Sequence, residues 1–131
     1  MKTSDHKPAR EPDIMVILNA HLDRMRDTYI DGIADVVVEI VSPESDIRDY
    51  ADKLTEYEAV GVPEYWLIDP QRQQAVIHVL EGGRYRRAPL DAQGRLVSTV
   101  LPGFALDTAL LWQQPYPGSI TIVRLAEGMG A

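Results

Sequence analysis

The stretch Asp35-Val-Val-Val-Glu39-Ile-Val41, together with the helical pattern after it, constrains this chain most. A run of β-branched residues reads as a strand. Ser42-Pro43 stops it, because proline removes a backbone donor and restricts the residue before it. From Asp46 to Val60 the pattern changes: Ile47, Tyr50, Ala51, Leu54 and Tyr57 recur at spacings of three and four, which predicts a helix with one apolar face. Ser45 or Asp46 is a plausible N-cap, Gly61 is a C′ glycine, and Pro63 lies just beyond. Glu64 to Asp69 is the next strand, closed by Pro70. Strand, helix and strand in this order imply a parallel pair joined by a right-handed crossover. The fold class is therefore α/β, a mixed sheet with one main helix.

The rest of the chain adds shorter elements. Pro12 to Leu18 reads as a strand, and Asn19 to Gly32 as either a short helix or a long connection. Gln74 to Leu80 and Arg84 to Arg87 form a hairpin about Glu81-Gly82-Gly83. Arg95 to Leu101 and Gly103 to Leu106 read as late antiparallel strands, Asp107 to Trp112 as a helical turn, and Ser119 to Leu125 as a last strand. With 131 residues, a single domain over residues 11–131 is expected, preceded by a flexible arm over residues 1–10.

Composition excludes several classes. Without cysteine there is no disulfide framework and no thiolate metal site. His6, His21 and His78 are scattered, against a histidine-rich zinc site. No apolar run approaches the ~20 residues of a membrane span, and the polar N-terminus lacks a signal-peptide core. A cytoplasmic protein is expected. The net charge of −7 argues against non-specific coating of nucleic acid, although a metal site itself needs carboxylates.

Glu39 poses the chemical question. It sits mid-strand where burial is expected, and an unpaired buried charge costs several kcal/mol or neutralises. Alternation places Asp35, Val37, Glu39 and Val41 on one face. Asp35 and Glu39 are about 13 Å apart along the strand, too far to bind one ion together. A second carboxylate should come from a neighbouring strand, and Asp13 is the natural candidate. Two carboxylates suit magnesium, which keeps several waters and takes few protein ligands. Lys53, on the helix, could orient the attacking water or stabilise phosphate charge.

Glu11-Pro-Asp13, Asp35 to Pro43, then Asp49, Lys53 and Tyr57, then Gly61-Val-Pro-Glu-Tyr-Trp66-Leu-Ile-Asp69 resemble the Uma-two family of endonucleases. Leu101-Pro-Gly103-Phe104 and Leu106 resemble its C-terminal signature, so the likeness runs from Arg10 to Leu111. That family is similar to the restriction-endonuclease fold of the PD-(D/E)xK superfamily. The resemblance implies a restriction-endonuclease-like domain that hydrolyses DNA phosphodiester bonds. Asp13 and Glu39 would be its metal ligands for Mg2+ or Mn2+, and Asp13, Glu39 and Lys53 its catalytic residues. Two departures stand out. The superfamily lysine two residues after the second acid is Val41 here, so Lys53 would supply the amine from the helix. The sheet elements that family members carry ahead of Asp13 are lacking, so the chain reads as N-terminally truncated, and a homodimer is expected to cover the exposed edge.

Each residue also has a plainer reading. Glu39 could face a partner or form a buried ion pair with Lys53, and Pro-Asp13 is ordinary turn chemistry. Lys53 could pair with Asp49 on a solvated helix flank. Asp35 reads as a solvated strand start and Glu64 as a surface residue. Tyr57, Tyr65 and Trp66 read as core. Arg84, Arg86 and Arg87 read as charges protecting an edge strand, with phosphate contact as the sharper alternative. The competing function is a non-catalytic interaction or structural protein on a degenerate nuclease fold.

Overall fold

The computed structural model describes residues 1–3 and 10–129. Its main sheet has five strands in sequential order: β1 (Ile14–Val16), β2 (Val36–Ile40), β3 (Glu64–Asp69), β4 (Gln74–Glu81) and β5 (Arg84–Arg87). β2 and β3 are parallel, and every other pairing is antiparallel. The parallel pair requires a crossover, and helix α1 (Ile47–Val60) provides it. β6 (Arg95–Val97) and β7 (Ala105–Asp107) form a second, two-stranded sheet. A short helix α2 (Ala109–Trp112) and α3 (Ser119–Met129) follow.

α1 starts and stops where its sequence signals place it. The Asp46 side chain accepts a hydrogen bond from the Arg48 N–H at 3.0 Å, satisfying one orphan donor of the first turn. Gly61 adopts a left-handed conformation, φ 89°, and its N–H bonds back to the Tyr57 carbonyl. A side chain there would be strained, which is why glycine ends the helix.

Strand alternation sorts the apolar residues onto two faces. On the α1 face Val37 and Tyr65 pack with Ala34, Tyr57, Val62 and Met1. On the other face Val36, Val38, Trp66, Ile77 and Val79 pack with Leu96 of the small sheet. Phe104 leans on Trp66 with ring centroids 5.0 Å apart. A fully buried valine contributes about 1.5–3 kcal/mol relative to exposure, so the two faces hold the sheet between α1 and the β6–β7 pair.

The structure corrects the sequence reading in two places and makes it specific in two more. Ser119 to Leu125, read as a strand, lies in α3. Its β-branched residues favour strands, but Ile122, Leu125, Ala126 and Met129 recur at helical spacing and face Phe104, Leu106 and Leu110 across an apolar cleft. The run Arg95 to Leu101 is a strand only to Val97, because Ser98 to Val100 turn aside to bind Glu64. Asn19 to Gly32 resolves into a 3-10 helix over Asn19–Arg24 and a turn, with Met25 bridging Ile30. Of the arm expected over residues 1–10, residues 4–9 lie outside the described residues. Met1 is buried, and the Lys2 N–H bonds to the Ile30 carbonyl at 2.8 Å.

Candidate active site

Glu39 is the fourth residue of β2 and points to the α1 face, where it is 3 % exposed. Lys53 and Tyr57 lie one helical turn apart on α1, so both side chains reach the same stretch of sheet. The Lys53 ammonium stands 3.3 Å from Glu39 Oε2, and the Tyr57 hydroxyl donates to Glu39 Oε1 at 2.8 Å. The buried carboxylate is thus both paired and hydrogen-bonded, the condition under which a charge can stay in a protein interior. Lys53 pairs with Glu39 rather than Asp49, and its ammonium lies 5.4 Å from the centre of the Tyr50 ring. Its side chain remains 21 % exposed. One end of the pair is buried and the other reaches solvent.

Burial, followed by the hydrogen bond to Glu39, pushes the Tyr57 hydroxyl well above its usual pKa. Tyr57 therefore stays a proton donor to Glu39 throughout the neutral range. The sequence reading assigned Tyr57 to the core, where it is, and missed this second role. The available signal was its position four residues after Lys53.

Asp13 lies just before β1, one residue beyond the Ile14–Val38 pair, so the strand register carries it alongside Glu39. It is exposed, and its Oδ2 accepts the Ile40 N–H at 2.7 Å. The structure thus brings Asp13 to the end of the strand that carries Glu39, against the backbone of the next residue. Among the described residues, no three His, Asp or Glu side chains gather closely enough to hold a metal by themselves. A metal caged wholly by protein does not fit this donor set. An ion here would need ligands beyond the protein's own carboxylates, the kind of coordination in which magnesium keeps several waters.

Two acids differ from their sequence reading. Asp35, read as a solvated strand start, is 3 % exposed. It accepts from the Leu18 N–H and pairs with His21 Nδ1, both at 2.8 Å, with Arg24 3.9 Å away. The loop after β1 folds over it, and these contacts fasten that loop to the start of β2. Glu64, read as a surface residue, is fully buried. It accepts from Trp66 Nε1, Ser98 Oγ, Thr99 N, Thr99 Oγ1 and Val100 N, at 2.6 to 3.2 Å. It points to the face opposite α1 and fastens the segment after β6 to the sheet. Both carboxylates have structural work to do away from Glu39.

The arginine cluster lies on β5, an edge strand of the five-stranded sheet. Arg84 sits 4.0 Å from Glu58, and Arg86 pairs with Glu81 at 2.8 Å. Tyr65 and Trp66 are buried, as read from the sequence.

Comparison with known proteins adds a family and a fold. The Uma2 family model, described as "Putative restriction endonuclease", matches residues 2–109. Among solved structures, one described as a putative nuclease from Anabaena variabilis ATCC 29413 aligns with a TM-score of 0.57 and 21 % identity. The alignment covers 77 % of this chain and 58 % of that one. At this identity the likeness is one of fold, and this chain spans little more than half the length of that relative. No curated protein matches.

Proposed function

The chain belongs to the Uma2 family, and from that premise we propose that it hydrolyses phosphodiester bonds in DNA with Mg2+ or Mn2+ as cofactor. The observation that supports this most is the Glu39–Lys53 pair, a buried carboxylate holding a solvent-reaching ammonium at 3.3 Å, with Asp13 bonded to the adjacent backbone. Asp13 and Glu39 would hold the metal. When bound, such an ion polarises a phosphate and lowers the pKa of a coordinated water.

The chain's own residues have distinct tasks in this reading. Glu39 fixes the Lys53 head, and Tyr57 fixes Glu39 through a donor that does not ionise near neutral pH. Lys53 is free on its exposed side to meet negative charge growing on a phosphoryl oxygen, taking the place of the lysine replaced by Val41. A compact ammonium suits this task better than a planar guanidinium. Asp13, exposed at the strand end, is within reach of solvent and substrate. We further propose a homodimer acting in the cytoplasm. Among the described residues, no helix is long and apolar enough to cross a membrane.

The competing reading is a non-catalytic interaction protein. It draws support from the occupation of both Glu39 oxygens by Tyr57 and Lys53. Plasmid nicking separates the two. Magnesium-dependent conversion of supercoiled plasmid, lost in Glu39→Gln, is the expected result. Wild-type protein that leaves plasmid intact with either metal overturns the nuclease reading in favour of the competitor.

A further inference from the structure

A second feature lies on the same face of the sheet as Glu39. Beyond the first turn of α1, the ends of β2 and β3 and the start of β4 form the floor of a cleft of about 230 Å³. The floor is apolar, built by Leu67 and Val76. Leu67 is the register partner of Glu39 and Val76 the partner of Leu67, so the cleft begins one strand away from the carboxylate. Tyr50 joins the two places. It lines the cleft, while its ring lies beneath the Lys53 ammonium and its hydroxyl donates to the Ile40 carbonyl at 3.4 Å.

The charged residues of the cleft point to an anionic occupant. Arg72 and Arg87 both line it. Among the described residues Arg87 has no carboxylate within ion-pairing distance, unlike Arg84 and Arg86 on the same strand. Asp69 is the acidic residue of the lining, and its carboxylate accepts from the Gln71 and Arg72 N–H groups at 3.1 Å, with the Arg72 guanidinium 3.9 Å away. The cleft is smaller than the ~300–1,000 Å³ of a site that encloses a whole small molecule. Its size and its direct continuation from Lys53 suit one unit of a chain whose next unit lies at the candidate active site.

We propose that this cleft seats the DNA strand beside the scissile phosphate, with Arg72 and Arg87 pairing to backbone phosphates and Leu67, Val76 and Tyr50 contacting the sugar and base. The inference rests on the nuclease reading and adds a substrate-positioning site to it. Arginine suits the role because its fork meets phosphate oxygens two at a time.

The test compares two double variants that remove the same charge from exposed positions. Arg72→Gln/Arg87→Gln empties the cleft of cations, whereas Arg84→Gln/Arg86→Gln alters β5 outside it. Binding of a fluorescein-labelled single-stranded oligonucleotide is followed by anisotropy without divalent metal, at several salt concentrations, with circular dichroism to verify folding. The cleft variant should bind at least about 10-fold more weakly and lower the salt slope by roughly 1.4, the loss of two single-strand phosphate contacts. The β5 variant should change affinity less than about 2-fold. Equal losses in both variants, or none in the cleft variant, overturn the cleft assignment; if the wild type still nicks plasmid, the nuclease reading survives. A wild type that neither binds nor cleaves DNA overturns both. An excess of mononucleotide that displaces the oligonucleotide as well as unlabelled strand does would reassign the cleft to a free nucleotide and overturn the proposal.

Discussion

Lys53 and Glu39 stand 14 positions apart in sequence and 3.3 Å apart in space, joined across the interface between α1 and β2. One is charged and partly solvated, the other charged and buried. That asymmetry makes the pair informative, because removing either partner leaves the other in a different environment. Lys53→Ala should leave the Glu39 carboxylate with the Tyr57 hydroxyl alone. A buried group left short of a partner costs about 1–3 kcal/mol, which urea unfolding followed by circular dichroism can measure. Glu39→Gln/Lys53→Ala should recover part of that loss, since no charge is then stranded. For cleavage, Lys53→Ala should lower turnover roughly 10²–10³-fold, the scale of one lost electrostatic donor, and Lys53→Arg should restore little. Plasmid cleavage equal to wild type would remove Lys53 from the mechanism.

Metal binding should depend on both carboxylates. Isothermal titration with magnesium or manganese chloride should give heat for the wild type and none for Glu39→Ala. Asp13→Asn should weaken the binding without unfolding the chain, because the amide oxygen can still accept the Ile40 N–H. Undiminished metal binding by Glu39→Ala would show that the ligands lie elsewhere.

Glu64 offers a stability prediction independent of catalysis. Its carboxylate gathers five donors at full burial. Glu64→Ala should destabilise by about 3 kcal/mol or more, because several buried donors lose their acceptor at about 1–3 kcal/mol each. Glu64→Gln should cost less but shift Trp66 fluorescence, because the indole N–H loses its charged acceptor. A thermal midpoint unmoved in both variants would contradict the buried network.

His78 should make stability fall on mild acidification. Its Nδ1–H donates to the Tyr65 carbonyl at 3.2 Å and its ring stacks on Tyr65, so Nε2 is the titrating atom. Burial, the largest cause, lowers its pKa below the ordinary 6.5, although the bond to Tyr65 opposes this. Between the folded and unfolded pKa values the unfolded chain binds more protons, so stability rises with pH there. The contribution is complete above about pH 6.5 and is lost as pH falls through the folded value. Urea midpoints at pH 7.5 and 5.5 should therefore differ more for wild type than for His78→Gln. Equal differences would exclude His78 as the source.

Assembly is directly measurable. Ile14 on β1 is 47 % exposed and Ile120 on α3 is 71 % exposed, both large apolar side chains at the surface. A homodimer at micromolar concentration is the expected result from light scattering. A monomer there would leave these side chains in water and remove the dimer from the proposal.

The central unit was legible because its signals are local. The strand stop at Pro43, the Asp46 cap, the three–four spacing of α1 and Gly61 each act within a few residues, and β2, α1 and β3 lie where those signals put them. For Lys53 the sequence left two partners open, Glu39 on the sheet and Asp49 on the helix flank, because its helical position lies beside the apolar face; the structure pairs it with Glu39. Glu64 was not legible. Four of its five bonds come from residues 34 to 36 further on, in a turn whose course no nearby residue dictates. Asp35 failed for a similar reason, because the loop that buries it arrives from the preceding segment. α3 misled because residue preference and spacing disagree there. Its β-branched side chains favour a strand, while the Leu106 and Leu110 surface it covers rewards helical spacing.

The bonds from Glu64 to Ser98, Thr99 and Val100 also govern how this molecule comes apart. A carboxylate sealed between two sheets cannot be released from one while the other stays native, because partial opening would leave the charge dry and unmatched. The small sheet therefore has no separate low-energy opening of its own. Amide protons of β3 and of Thr99 and Val100 should exchange with solvent at a common rate and with a common denaturant dependence, as parts of one cooperative unit. A chain cut between β5 and β6 should not yield an independently folded five-stranded piece.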